Sequence, residues 1–104
     1  MTTIAKNADC VTLINVFSVE PEKQQQLSAL LIELTNNSMR QLPGFISGNI
    51  YRSLDGTRVA IHGQWRTLSD LKYMVKIRQS IPQMEQVVKL TSGVDARVYE
   101  LVEV

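Results

Sequence analysis

The stretch from Leu42 to Trp65 constrains this chain more than any other, because a helix stop, two strands, a tight turn and the sole tryptophan follow one another within it. In Leu42-Pro43-Gly44-Phe45 the proline cannot continue a helix and the glycine accepts the turn that follows. Phe45 to Leu54 and Thr57 to Arg66 then read as two strands around Asp55-Gly56. Asp-Gly between such runs predicts a two-residue hairpin with both central residues at positive φ. That turn sets Leu54 against Thr57, Ile50 against Ile61, Gly48 against Gly63 and Ile46 against Trp65 on one apolar side of the sheet. Phe45, Ser47, Asn49 and Tyr51 fall on the other side, against Arg66, Gln64, His62 and Ala60. The facing glycines leave a space beside Trp65, which is either part of a small-molecule pocket or relief for strand curvature.

The flanking segments complete the pattern. Val11 to Val19 alternates, with Val11, Leu13, Asn15, Phe17 and Val19 on one face, and predicts a central strand. Glu20-Pro21-Glu22 opens a helix whose buried stripe is Leu27, Leu30, Leu31 and Leu34 and whose expected end is near Leu42. After the hairpin, Thr67-Leu68-Ser69-Asp70 is a variant capping box that starts a second helix carrying Leu71, Met74 and Val75. Pro82 predicts a break near Ser80, and a further helical piece through Met84, Val87, Val88 and Leu90 is expected to end at Gly93. Ala96 to Val104 is the expected last strand. The order βαββαβ, with antiparallel pairing and both helices on one face, predicts an α+β domain of the ferredoxin-like kind over residues 1–104. Its uncovered face, with Asn49, Tyr51, His62 and Gln64, meets either water or the same face of a second copy in a homodimer.

Composition narrows the function classes. Lys and Arg total 11 against 10 Asp and Glu, a net charge of +1 without a basic block, so there is no electrostatic footprint for nucleic acid. The one cysteine, Cys10, excludes an internal disulfide and suits a reducing compartment. No run of about 18 apolar residues predicts a membrane span, and Met1 to Asp9 lacks the apolar stretch of a signal peptide, so a cytoplasmic protein is expected. No pair of carboxylates, metal-ligand spacing or phosphate-cradling glycine loop is present.

Val11-Thr12-Leu13-Ile14-Asn15-Val16-Phe17, Pro21-Glu22, Leu42-Pro43-Gly44-Phe45, Ser53-Leu54-Asp55-Gly56-Thr57 and Gln64-Trp65 together resemble the antibiotic biosynthesis monooxygenase superfamily over nearly the whole chain. The resemblance implies a dimeric α/β barrel whose members include oxygenases of polycyclic phenols that need no cofactor, quinol monooxygenases and haem-degrading enzymes. In the polyketide-tailoring branch the substrate's own carbanion reduces oxygen, so the protein supplies a dry pocket and a few placed donors, with no flavin or metal. The pocket-lining tryptophan of that branch matches Trp65. Its asparagine four residues earlier matches Ile61, its tyrosine six residues later matches Leu71, and a tyrosine of the preceding strand matches Ile50. Haem-degrading relatives carry an asparagine where this chain has Asn15, but the axial histidine they place on the second helical segment is missing, and His62 alternates away from Trp65.

The expected site therefore has Trp65 and Asn15 as its chemical groups, with Phe17, Ile46, Gly48, Ile50 and Ile61 around them, joined by Gly63, Leu71 and Tyr73. Trp65 is either a pocket wall or plain core; Asn15 either points at a ligand or bonds locally; Tyr73 either turns its hydroxyl inward or lies on the helix flank. The expected function is a cofactor-independent monooxygenase of an aromatic phenol, anthrone or quinol, with the substrate and oxygen as partners and no nucleic acid or membrane. The alternative is a noncatalytic ligand-binding or accessory protein of the same fold, since apolar Ile61, Leu71 and Ile50 occupy positions that are polar in the resembled branch.

Overall fold

The computed structural model describes residues 10–102. Four antiparallel strands, β1 (Val11–Val19), β2 (Phe45–Arg52), β3 (Arg58–Trp65) and β4 (Thr91–Tyr99), form one sheet in the order β2-β3-β1-β4. Helices α1 (Gln24–Asn37), α2 (Leu68–Ile77) and α3 (Gln83–Leu90) cover one of its faces. This is the predicted α+β ferredoxin-like architecture, with β1 central. Leu13, Asn15, Phe17 and Val19 are buried on the helix side of β1, as a period of two requires.

Each helix begins as its sequence dictates, but two end differently. Pro21 opens a 3₁₀ turn, Pro21–Lys23, that leads into α1. Leu27, Leu31 and Leu34 are buried along α1. The helix stops at Asn37 and a 3₁₀ turn, Met39–Gln41, fills the span predicted to be helical up to Leu42. The physical reason is Asn36-Asn37-Ser38, whose short polar side chains compete with the helical backbone. At α2 the Thr67 hydroxyl accepts from the Asp70 backbone N–H at 3.0 Å, the predicted cap. The predicted break follows as the 3₁₀ turn Arg78–Ser80 before Pro82. Helix α3 ends at Leu90, not Gly93, because the chain turns at once into β4, where Thr91 pairs with Val19 and Gly93 with Ser18 across a register shift. The strand expected over Ala96 to Val104 thus runs over Thr91–Tyr99, and residues 103–104 lie outside the described residues.

The β2–β3 register holds as predicted at Ile50↔Ile61 and Gly48↔Gly63, but both ends of the hairpin differ. The strands stop at Arg52 and restart at Arg58, and of the two central residues only Gly56 has positive φ, 82°. The Asp55 carboxylate accepts from Thr57 Oγ1 at 2.7 Å, Ser53 Oγ at 2.8 Å and the Thr57 N–H at 3.0 Å, closing a five-residue loop in place of the two-residue turn. Gln24 Nε2 of α1 donates to the Ser53 and Arg58 carbonyls at 3.0 Å each and fastens this loop to the helix start. At the other end the register shifts between Phe45 and Ser47, so Ile46 is the extra residue of a bulge and Phe45, not Ile46, stands opposite Trp65.

The core has two parts. Phe17, Val19 and Val59 of the sheet pack with Leu27, Leu31 and Leu34 of α1 and Val87 of α3. Leu13 and Trp65 pack with Leu71 and Met74 of α2. Among the described residues no helix is long and apolar enough to cross a membrane.

Candidate functional site

Where the two parts of the core meet, the sheet and helices enclose a small chamber of about 60 Å³. Its sheet-side floor is Leu13, Asn15 and Phe17 from β1 with Ile61, Gly63 and Trp65 from β3 and Gly48 from β2. Leu31, Leu34 and Thr35 of α1 and Met74 of α2 close it from above, and Met39, Phe45 and Met84 close its sides.

Trp65 forms one wall and is 2% exposed. The Phe45 ring meets it edge-on, with centroids 5.4 Å apart and planes at 87°, and the Arg40 guanidinium lies 5.7 Å from the Phe45 centroid on the helix side. This stack fixes the indole and depends on the bulge at Ile46, which turns Phe45 inward. The two facing glycines act differently. A Cβ on Gly63 would stand 3.6 Å from Trp65 Nε1, at ordinary contact, so this glycine keeps the space beside the indole open. A Cβ on Gly48 would come within 3.0 Å of Thr35 Cγ2, so there the helix has already filled the space.

Asn15 is the one amide in the wall. It lies between Ile61 of β3 and Ala96 of β4, is 8% exposed, and its Oδ1 is buried with no hydrogen-bond partner. An unpaired buried carbonyl costs about 1–3 kcal/mol, and it persists here at the floor of a chamber whose other walls are almost wholly apolar. None of the lining residues carries a titratable side chain, and among the described residues no group of three His, Cys, Asp or Glu could hold a metal ion.

Six of the ten residues expected at the site line the chamber: Asn15, Phe17, Gly48, Ile61, Gly63 and Trp65. The other four do not. Ile46 is the bulged residue and is 37% exposed, Ile50 packs on the α1 side of the core, and Leu71 is buried behind Trp65 with Leu13 and Met74. Tyr73 is 46% exposed on the flank of α2, so its hydroxyl does not reach the pocket. Phe45 was misassigned by the unseen bulge. Met39, Met74 and Met84 also line the chamber, their unbranched side chains fitting its irregular wall. Thr35 carried no signal of its own, since only its approach to Gly48 gives it a role.

On the opposite sheet face Asn49 and His62 are half-buried and Tyr51 is 54% exposed. Gln64, expected there as a contact for a second copy, is only 1% exposed and accepts from Ser47 Oγ at 3.3 Å. It is an internal residue of the single chain, which corrects that expectation. His62 sits opposite Ile14 and Asn49, on the side away from Trp65, as its alternation predicts.

Comparison with known proteins converges on one family. The family model described as antibiotic biosynthesis monooxygenase matches residues 10–76. Tetracenomycin-F1 monooxygenase from Streptomyces glaucescens is 42% identical over 74 residues, which cover 71% of this chain and 66% of that protein, so the match spans just under two-thirds of the relative's length. SnoaB from Streptomyces nogalater, a cofactor-independent oxygenase, superposes with a TM-score of 0.76 at 17% identity, over 93% of this chain and 97% of that chain. Rv0793 from Mycobacterium tuberculosis gives 0.76 at 23% identity, over 90% and 96%. At these identities the two structures speak to the fold. The family match begins at β1 and ends within α2, the span that contributes most of the chamber wall, and on that sequence match together with the fold this chain belongs to the antibiotic biosynthesis monooxygenase family.

Proposed function

We propose that the chain is a monooxygenase that needs no prosthetic group and oxidises an aromatic phenol, anthrone or quinol held in the chamber between sheet and helices. The observation that carries this reading is the unpaired Asn15 Oδ1 at the floor of an apolar cavity walled by Trp65. A ligand hydroxyl donates to Oδ1 when it binds. Once that hydroxyl has ionised, rotation of the amide brings Nδ2 to donate to the oxyanion, and the ring faces of Trp65 and Phe17 hold the aromatic plane. The electron-rich ring carbon then passes one electron to dioxygen, the two radicals join as a hydroperoxide, and loss of water leaves a carbonyl. One oxygen atom enters the product and the other leaves in water, so no external reductant is required.

No lining side chain can take the first proton. The substrate must therefore ionise by its own acidity, and the rate rises with pH through the substrate's pKa and not through that of a protein group. Oxygen uptake by the purified protein with anthrone, 1-naphthol and a quinol tests this. Asn15→Ala is expected to lower turnover on the order of a hundredfold, and Trp65→Phe to lower it less. Equal rates in all three proteins would overturn the reading.

A second reading, a ligand-binding or accessory protein, draws on the absence of any acid or base in the wall and on Ile61 at the position that is polar in the resembled branch. Saturable binding of the same compounds without uptake above the buffer rate would favour it. Under either reading a second copy covers the open sheet face around Asn49, Tyr51 and His62, as in the resembled dimeric barrels, and the setting is cytoplasmic.

A further inference from the structure

Three of the chain's four methionines, Met39, Met74 and Met84, line the chamber together with the unpaired Asn15 Oδ1. The one thiol, Cys10, lines neither the chamber nor the open groove of about 490 Å³ outside it, between the Arg78–Ser80 turn, α3 and β4. Asn15 is 8% exposed, so whatever completes the hydrogen bonding of Oδ1 is a donor that enters the chamber. At about 60 Å³ the chamber exceeds the roughly 10–15 Å³ that one water needs. A hydroperoxide group supplies such a donor in its O–H, and a thioether is the side chain that reduces it.

The three thioethers differ in what becomes of the oxygen they gain. Met74 is 4% exposed among Leu13, Trp65 and Leu71, where a sulfoxide oxygen would be buried in apolar surroundings. Met39 packs against both parts of the core, and its oxidation would disturb both. Met84, half-buried at the second residue of α3, also lines the groove with Ser80 and Thr91, and there a sulfoxide oxygen meets water. We propose that the chamber is a hydroperoxide site and that Met84 is the residue oxidised in it. The distal O–H of the hydroperoxide donates to Asn15 Oδ1, and the Met84 sulfur attacks that distal oxygen. The O–O bond breaks as the S–O bond forms, and the departing oxygen keeps the bonding pair and takes the proton. Sulfur loses two electrons and the peroxide gains them, leaving methionine sulfoxide with water from hydrogen peroxide or an alcohol from an organic hydroperoxide. The polar sulfoxide turns to the groove and opens the wall between groove and chamber. Dissolved hydrogen peroxide is one source of the group and the hydroperoxide of the proposed oxygenation is the other, so the site does not depend on that reaction.

Treatment with hydrogen peroxide, followed by peptide mass spectrometry, tests the site without any organic substrate. N-acetylmethionine in the same solution is the reference thioether. Met84 is expected to convert at least threefold faster than the reference and at least tenfold faster than Met74, and Asn15→Leu is expected to bring Met84 down to the reference rate or below it. Because Trp65 is the sole tryptophan and lines the chamber, its quenching by acrylamide reports the opened wall. Quenching is expected to rise at least twofold after peroxide treatment in the wild type and to stay unchanged in Met84→Leu. If Met84 converts no faster than the reference, or equally fast in Asn15→Leu, the site is overturned. Turnover of 1-naphthol under heavy-isotope dioxygen, with no peroxide added, separates the two sources. Label in the Met84 sulfoxide supports the site with the reaction's own hydroperoxide as its source. Preferential Met84 oxidation by added peroxide, with no oxygen uptake from 1-naphthol, supports the site with dissolved peroxide as its source and overturns the oxygenase reading for that substrate alone.

Discussion

Asn15 carries a cost to stability at the scale of one residue. Its Oδ1 is buried and unpaired between Ile61 and Ala96. Asn15→Leu, which removes the orphan and fills a similar volume, is expected to raise stability by about 1 kcal/mol. In a domain of this size that is a gain of about 5 °C in Tm, accompanied by loss of Trp65 quenching by 1-naphthol. A purely structural amide would instead lose stability on this change, and thermal denaturation distinguishes the two. The facing glycines give a paired expectation at the same scale. Gly63→Ala meets Trp65 Nε1 at 3.6 Å, so it is expected to fold with an unchanged Tm while blocking the chamber. Gly48→Ala presses on Thr35 Cγ2 at 3.0 Å and is expected to cost about 1 kcal/mol, as tight packing against a helix does.

The β2–β3 hairpin carries the electrostatic feature that belongs to an element. Hydrogen bonds from the Thr57 hydroxyl, the Ser53 hydroxyl and the Thr57 N–H hold the Asp55 carboxyl at a pKa of about 2, below its ordinary 3.8. A depressed folded-state value means that the contribution is complete above the ordinary value and is lost as pH falls from 3.8 towards 2. An NMR titration is expected to give Asp55 a midpoint of about 2, with the Thr57 amide losing protection in that window and in no other. The same hairpin marks the boundary of what sequence discloses. The register survives because Ile50, Gly48, Ile61 and Gly63 answer to the burial of one face, which alternation encodes. The bulge at Ile46 escapes notice because it depends on Phe45 stacking on Trp65 and on the Gly44 carbonyl accepting from the Arg66 N–H at 2.7 Å, contacts made only after the strands pair. Likewise the places of Asn15 and Trp65 on the helix side of the sheet were legible from alternation, whereas Met84 and Thr35 enter the chamber wall through helix placement, which no local pattern specifies.

For the molecule as a whole, the helix order and the one-sided sheet were legible because they need only the count and period of apolar segments. The start of β4 was not, since its first residues answer to pairing with Val19 and Ser18 and not to their own alternation. The open face presents Tyr51 at 54% and Tyr99 at 44% exposure around half-buried Ile14 and Val16. Sedimentation equilibrium is expected to give twice the chain mass and a Tm that rises with protein concentration. Tyr51→Asp, at an exposed position, is expected to give a monomer whose Tm no longer depends on concentration. β4 pairs only with β1, and all but its first residue are exposed. Its detachment uncovers little apolar area, so its amides exchange with deuterium through a local opening well below the global unfolding free energy, while those of β1 and β3 wait for the whole domain. The slowest-exchanging amides thus belong to the chamber floor, and the fastest among the strands to β4 at the sheet edge, which contributes nothing to it.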